Sequence, residues 1–330
     1  AGLGGTGIGD RHQERSFVMA LSQLLKARGA RVRVDRSGRV VSVRYVDRVI
    51  EVADLDLLVQ CRQLKQLDLE GARVDDSGLA RLATIESLET LWLHDSRISD
   101  AGLKPLARLR SLKNLGLAGT RIGDRGLKHL VGLVGLESLV LTNTRTTDKG
   151  LVHLKRLVRL VDLPVRGTRV TFGGVVDLFV RQQGRGMAAA MRAMGLAAAG
   201  RVPIRRLDLG RTGVRDQDLA HLGDLKHLEH LVLANSGVTD AGLVHVGKLK
   251  QLKGIYLAKC AVTDAGLAHL AKLTRIESVN LYGTSVTDAG LKHLYGMKKM
   301  RDLYLTDLKL SESAIDKLKA ALPRVTVAGP

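Results

Sequence analysis

The sequence predicts an α/β solenoid, with a parallel sheet on a concave face and helices on a convex face, and three observations carry that expectation. An apolar triplet of the form L-x-x-L-x-L returns every 24 residues, at Leu64/Leu67/Leu69, Leu88/Leu91/Leu93, Leu112/Leu115/Leu117, Leu136/Leu139/Leu141 and Leu160/Leu163/Val165. It resumes at Ile204/Leu207/Leu209, Leu228/Leu231/Leu233, Leu252/Ile255/Leu257, Ile276/Val279/Leu281 and Met300/Leu303/Leu305. Between triplets runs a second signature, Val-Thr-Asp-Ala-Gly-Leu, at 262–267 and 286–291. The composition is that of a chain with a real core built without rings: 45% of the 330 residues are hydrophobic and only 3% aromatic, so leucine and valine must carry the packing.

Each triplet reads as a short strand whose leucines point to the core and whose intervening residues point the other way. Weaker copies, Val40/Val43/Tyr45 and Leu322/Val325/Val327, bracket the series and bring it to twelve candidate strands. In the second signature Thr or Asp can accept the unpaired N–H bonds of a new helix. The following Leu267, Leu270 and Leu273 then place an apolar stripe on one helical face. Strands stack at about 4.8 Å and helices at about 8 to 10 Å, so repetition bends the array with its strands inside.

Taken in order, residues 1–35 form an N-terminal linker and cap, and residues 36–330 the solenoid of about twelve 24-residue units. The Gly2/Gly4/Gly7 spacing matches a dinucleotide-binding pattern, but no strand precedes it, so it reads as linker. Phe17, Leu21, Leu24 and Leu25 make a helical face. Val32/Val34 and Val41/Val43/Tyr45, flanking Asp35-Arg36-Ser37-Gly38, make a hairpin that closes the core. An inserted helical segment at about 172–203 interrupts the period, and its Met187, Met191 and Met194 share one face, most simply a packed one. Ile315, Leu318 and Leu322 form a last helix that Pro323 stops, within a C-terminal cap at about 311–330 that reads as a natural end. Ala1 in place of methionine reads as a processed or cut N-terminus.

These residues resemble the leucine-rich-repeat proteins of the cysteine-containing, ribonuclease-inhibitor-like class, the type found in F-box substrate receptors and in many bacterial proteins. The resemblance covers roughly residues 36–330 and rests on the Val-Thr-Asp-x-Gly-Leu element and on Cys61 and Cys260, which fall where that class often has cysteine. Thr120, Thr144, Thr168, Thr212 and Thr284 hold the second cysteine site elsewhere, as suits a small side chain bonding to neighbouring backbone in a ladder. With no F-box-like segment before the repeats, the resemblance implies a binding scaffold of the bacterial type and no ubiquitin-ligase role.

No apolar run is long enough to span a membrane. Two cysteines are too few for a disulfide framework, and the compartment stays open. The formal charge of +19 favours an acidic partner. On the concave face the middle column reads Asp68, Trp92, Gly116, Val140, Pro164, Asp208, Val232, Tyr256, Asn280 and Tyr304. His94 and Tyr282 stand in the next column, and Arg206, His230 and Asp302 in the one before. Solvent-facing Trp and Tyr are the usual anchors of binding hot spots, so Tyr256, Tyr282, Tyr304 and Asp302, with Trp92 and His94, are the candidate partner-binding residues.

Arg73, Arg97, Arg121, Arg145 and Arg169 recur at the turn after each strand. Asp76, Asp100, Asp124 and Asp148, three residues on, are the expected counter-charges for the first four. Arg169 has Phe172 in that place, and around it Arg166, Arg181, Arg185, Arg205 and Arg206 make the centre of the chain the candidate anion site. His129, His153, His221, His245, His269 and His293 recur once per helix, too far apart to converge on one ion, so no metal or cofactor is expected. Ser138, Asp162 and His230 share a column, but an intervening repeat separates the last two, so no catalytic set is expected. The reading is a non-enzymatic, monomeric scaffold that binds a protein through its concave strands. The alternative is a nucleic-acid or other polyanion binder using the basic centre, which would be non-specific because arginine charge carries no base readout.

Overall fold

The computed structural model describes residues 9–45, 49–178 and 204–329. The chain divides into two compact units, residues 1–140 and 141–330. In unit 1, β1 (Arg31–Val34) pairs antiparallel with β2 (Val40–Arg44), Val32 opposite Val43, as the hairpin pattern predicts. Four parallel strands follow in sequence order: β3 (Gln66–Asp68), β4 (Thr90–Trp92), β5 (Asn114–Gly116) and β6 (Ser138–Val140). Unit 2 carries β7 (Asp162–Pro164), β8 (Arg206–Asp208), β9 (His230–Val232), β10 (Gly254–Tyr256), β11 (Ser278–Asn280), β12 (Asp302–Tyr304) and β13 (Thr326–Ala328), again parallel and in order. The register is that of the 24-residue period, except that β7 and β8 pair across the insertion with Leu163 opposite Leu207. The core is the expected leucine ladder, with Leu67, Leu91, Leu115 and Leu139 in unit 1 and Leu163, Leu207, Leu231 and Ile255 in unit 2 buried.

The helical segments are short, and several are 3₁₀ rather than α: Ala101–Arg108, Lys128–Leu130, Val152–Arg156, Asp216–Asp224 and Lys292–Leu294. The apolar spacing is compatible with this form, although the same spacing at Leu267, Leu270 and Leu273 accompanies an α-helix. Apolar residues at i, i+3 and i+6, such as Leu151, Leu154 and Leu157, line up on one edge at three residues per turn and drift off it at 3.6. Where the segment stays α, as at Asp240–Val246 and Asp264–Leu270, Thr239 and Thr263 cap it by accepting from Ala241 N and Ala265 N.

Threonine and aspartate therefore divide the work of the Val-Thr-Asp element. While the threonine caps its own helix, the aspartate reaches forward across the boundary to the next repeat. Asp240 accepts from Thr263 N (2.8 Å) and Thr263 Oγ1 (2.6 Å), Asp264 from Thr287 in the same way, and Asp288 from Ser311. Unit 1 does the same with Asp76 and Ser99, and with Asp100 and Gly123 N. This overturns the expectation that Asp76 and Asp100 neutralise the arginine column. The run lapses where Phe172 takes the aspartate position and goes into the core instead, at the start of the insertion.

The threonine ladder also differs from expectation. Thr120, Thr144, Thr168 and Thr212 each donate to a carbonyl three residues back, at 2.6 to 2.7 Å, and so close their own turns. Only Cys260 reaches the previous repeat, donating from Sγ to Leu233 O (3.1 Å). Both cysteines are free and buried. Of the N-terminal helix Gly9–Ala27, Leu21 and Leu25 are buried whereas Phe17 and Leu24 are about half exposed, so one edge and not the full predicted face meets the core. Arg28, just after that helix, pairs with buried Asp54 and with Glu51 (2.6 Å). The C-terminal helix Glu312–Ala321 is capped by Ser311 and ends before Pro323. The methionine face of the insertion lies outside the described residues. Among those described, no helix is long and apolar enough to cross a membrane.

Candidate functional site

In unit 2 the parallel register lines up Val232, Tyr256, Asn280 and Tyr304 in one column of the sheet face, with His230, Gly254, Ser278 and Asp302 in the column before it. Tyr304 is 40% exposed and Asp302 is exposed, while Tyr256, Tyr282 and Asn280 are half-buried rather than fully facing solvent. Two strand spacings put the backbones of Tyr256 and Tyr304 about 10 Å apart. Asn280 lies between them, its Oδ1 accepting from Tyr282 N (2.9 Å). That bond fixes the backbone from which Tyr282 projects.

Lys259 places its ammonium 5.3 Å from the centre of the Tyr282 ring. It does so from a left-handed backbone, φ 55°, at a turn position where other repeats carry Gly71, Gly119, Gly167 and Gly283, or Asp95, Asn143, Asn235 and Asp307, and one other carries Arg211. Glycine, Asn and Asp tolerate this conformation; a long side chain there costs about 1 to 2 kcal/mol. Lys259 is not among the candidate residues that the sequence singles out. Its place in a column held mostly by Gly, Asn and Asp is a signal that it shares with Arg211. Beside Asp302 a depression of about 660 Å³ is lined by Lys298, Lys299, Arg301 and Arg324 against Glu277 and Asp302, a basic border to the tyrosines.

Gly254 explains how His230 and Tyr256 share the sheet. A Cβ at Gly254 would lie 2.5 Å from His230 Nδ1 and 3.1 Å from Tyr256 Cε2, so the rings rest over the bare backbone. His230 is held below the usual imidazole range, first by burial and then by the charge of Arg206.

Unit 1 repeats the device once. Trp92 and His94 stack with centroids 5.5 Å apart and planes 22° from parallel. Both lie over Gly116, where a Cβ would come within 2.3 Å of each ring. Ala118 N donates to His94 Nδ1 (3.1 Å), which leaves Nε2 to carry the proton of the neutral ring. Beside them Asp68 pairs with Arg44 (3.0 Å).

The predicted basic centre is less bare than a count along the chain suggests. Arg205 faces Glu229 at 3.6 Å, and Arg206 faces Asp162 at 4.0 Å. Asp208 is held above the usual carboxylate range by burial, opposed by Gly210 N and by the charge of Arg166. Stacking at a 24-residue period supplies carboxylates that are distant in sequence. Arg169 is exposed; Arg181 and Arg185 lie outside the described residues. Asp162 and His230 sit two strands apart with Arg206 between them, as the column reading requires.

A family model described as Leucine Rich repeat matches residues 224–246. The chain is similar in structure to an internalin of Listeria monocytogenes, at 17% identity and a TM-score of 0.54, covering 94% of each chain. A second Listeria monocytogenes internalin, internalin C2, is 17% identical with a TM-score of 0.42, over 78% of this chain and 84% of that one. A leucine-rich-repeat protein of Leptospira interrogans is 15% identical with a TM-score of 0.42, over 82% and 74%. Comparison with curated protein sequences returns no match. The fold is a leucine-rich-repeat solenoid.

Proposed function

We propose that this chain is a non-enzymatic scaffold that binds a protein partner through the sheet face of unit 2, with Tyr256, Tyr282 and Tyr304 as anchors and Asp302 as a polar contact. The leucine-rich-repeat fold is typically a protein-interaction scaffold, which supports the class of function. The observation that carries the site is the clustering itself: three tyrosines on three neighbouring repeats of a 3% aromatic chain, one of them 40% exposed, beside a lysine held in a strained turn. Tyrosine offers a large, rigid contact area with a hydroxyl usable at a wet interface. The Trp92–His94 stack is a second candidate contact in unit 1, pre-organised in the same way.

The test is capture of partners from native lysate, with and without nuclease and at two salt concentrations, followed by calorimetric titration of the recovered partner. Tyr256→Ala or Tyr304→Ala should weaken binding by about 1 to 2 kcal/mol. Unchanged affinity in both variants would move the site to Trp92 and His94. Loss of capture on nuclease treatment would favour the polyanion alternative.

A further inference from the structure

The arginine column of unit 1 has no structural employment. Arg73, Arg97 and Arg121 are exposed, and among the described residues none has a carboxylate within 4.0 Å, because Asp76 and Asp100 are committed to the next repeat. Two exposed arginines elsewhere in the unit are paired, Arg44 with Asp68 and Arg81 with Asp56 (2.7 Å). At the other end of the same strands the charge column alternates in sign, Lys65, Glu89, Lys113, Glu137, and Glu89 holds Lys65 at 3.1 Å and Lys113 at 2.8 Å. This sequence thus neutralises stacked charge at one end of its strands and leaves it bare at the other.

The backbone does not require arginine there either. Arg97 N and Arg121 N donate to Val74 O and Ile98 O, and in unit 2 Gly237 N and Ser285 N make the same bonds to Val214 O and Val262 O. Glycine and serine fill the position equally well, so the guanidinium groups are the only thing arginine adds. Three like charges about 5 Å apart repel by about 0.8 kcal/mol per neighbour in water, a cost that an anion laid along them would reverse. The turn segments 70–76, 94–100 and 118–124 contain no Phe, Tyr or Trp on which a base could stack. Guanidinium forks match the oxygens of phosphate and sulfate.

We propose that Arg73, Arg97 and Arg121 form a binding ridge for an extended linear polyanion, held through its phosphate or sulfate groups and not through bases. The ridge lies in unit 1 and is independent of the tyrosine face.

The probes are labelled oligothymidylate and a sulfated oligosaccharide of matched charge, titrated into the full chain between about 50 and 200 mM salt. The ridge variant Arg73→Ala/Arg97→Ala/Arg121→Ala is compared with Lys104→Ala/Arg125→Ala/Lys128→Ala, which removes the same charge from the helical side of unit 1. The ridge variant should lower the slope of log affinity against log salt by about 2 to 3, and the control variant by less than about 1. Loss with oligothymidylate alone identifies phosphate as the ligand group, and loss with the sugar alone identifies sulfate. Equal losses in the two variants, no binding of either probe, or a strong preference for one base sequence would overturn the proposal. Thermal melts of both variants confirm that folding is not the variable.

Discussion

In unit 1 the turn after each strand carries Arg73, Arg97 and Arg121, and the sheet shows a single Trp–His stack. In the last repeats of unit 2 the same turn carries Gly213, Gly237, Ala261 and Ser285, and the sheet shows three tyrosines. The backbone bond that Arg97 and Arg121 make at the turn is the one that Gly237 and Ser285 make. What differs is confined to positions that the repeat leaves free, which shows where stability ends and surface chemistry begins. The aspartate ladder belongs to the first kind and the arginine and tyrosine columns to the second.

The sharpest way to break that distinction is to attack the shared part. Asp76→Ala in unit 1 and Asp264→Ala in unit 2 each remove a carboxylate that accepts one N–H and one O–H from the next repeat. Each should destabilise its unit by about 1.5 to 3 kcal/mol, the scale of hydrogen bonds to charged groups, measured by urea denaturation. Near-neutral results would mean that the ladder does not join the repeats. The same ladder predicts a direction with pH. Hydrogen bonds from Ser311 hold Asp288 below the usual carboxylate range, so its contribution is complete above the ordinary carboxylate pKa and is lost as pH falls through the lowered value. Denaturation midpoints should fall on acidification in the wild type and less so in Asp288→Ala.

Gly116→Ala tests the pre-organised surface of unit 1. The new Cβ meets two rings at 2.3 Å, so the variant should lose about 1 to 3 kcal/mol and shift the emission of Trp92, the only tryptophan. An unchanged spectrum would show that the stack does not rest on that glycine. Lys259→Gly probes unit 2 in the opposite sense. Relief of the left-handed backbone should raise stability by up to about 1 kcal/mol while weakening any partner held by the tyrosine face.

Asp208→Asn should be mildly stabilising at neutral pH, under about 1 kcal/mol. Burial holds its carboxyl above the usual range, so the cost of charging it appears as pH rises and vanishes below the ordinary carboxylate pKa; the gain should vanish with it. Asp68→Asn, at the equivalent place in unit 1, instead breaks an ion pair with Arg44 and should not stabilise. The smallest effect is expected of Arg97→Ala, within about 0.5 kcal/mol of wild type in a thermal melt, because the turn needs only its backbone.

The period alone carried the strands, their order and the core: leucines at fixed spacing on alternating positions have one way to bury themselves, and Leu67, Leu91 and Leu115 do so without exception. The columns of the sheet face, Tyr256 beside Asn280 beside Tyr304, follow from the same arithmetic. Hydrogen-bond allegiance was not legible. Asp76 lies three residues from Arg73 and twenty-three from Ser99, yet bonds to Ser99, because stacking turns a distance of one repeat into contact while the local turn directs neighbours apart. The same conversion pairs Arg205 with Glu229 and leaves the ridge of arginines bare. Periodicity states which residues recur; only packing decides which recurrences touch, since that depends on side-chain direction and reach across the repeat boundary.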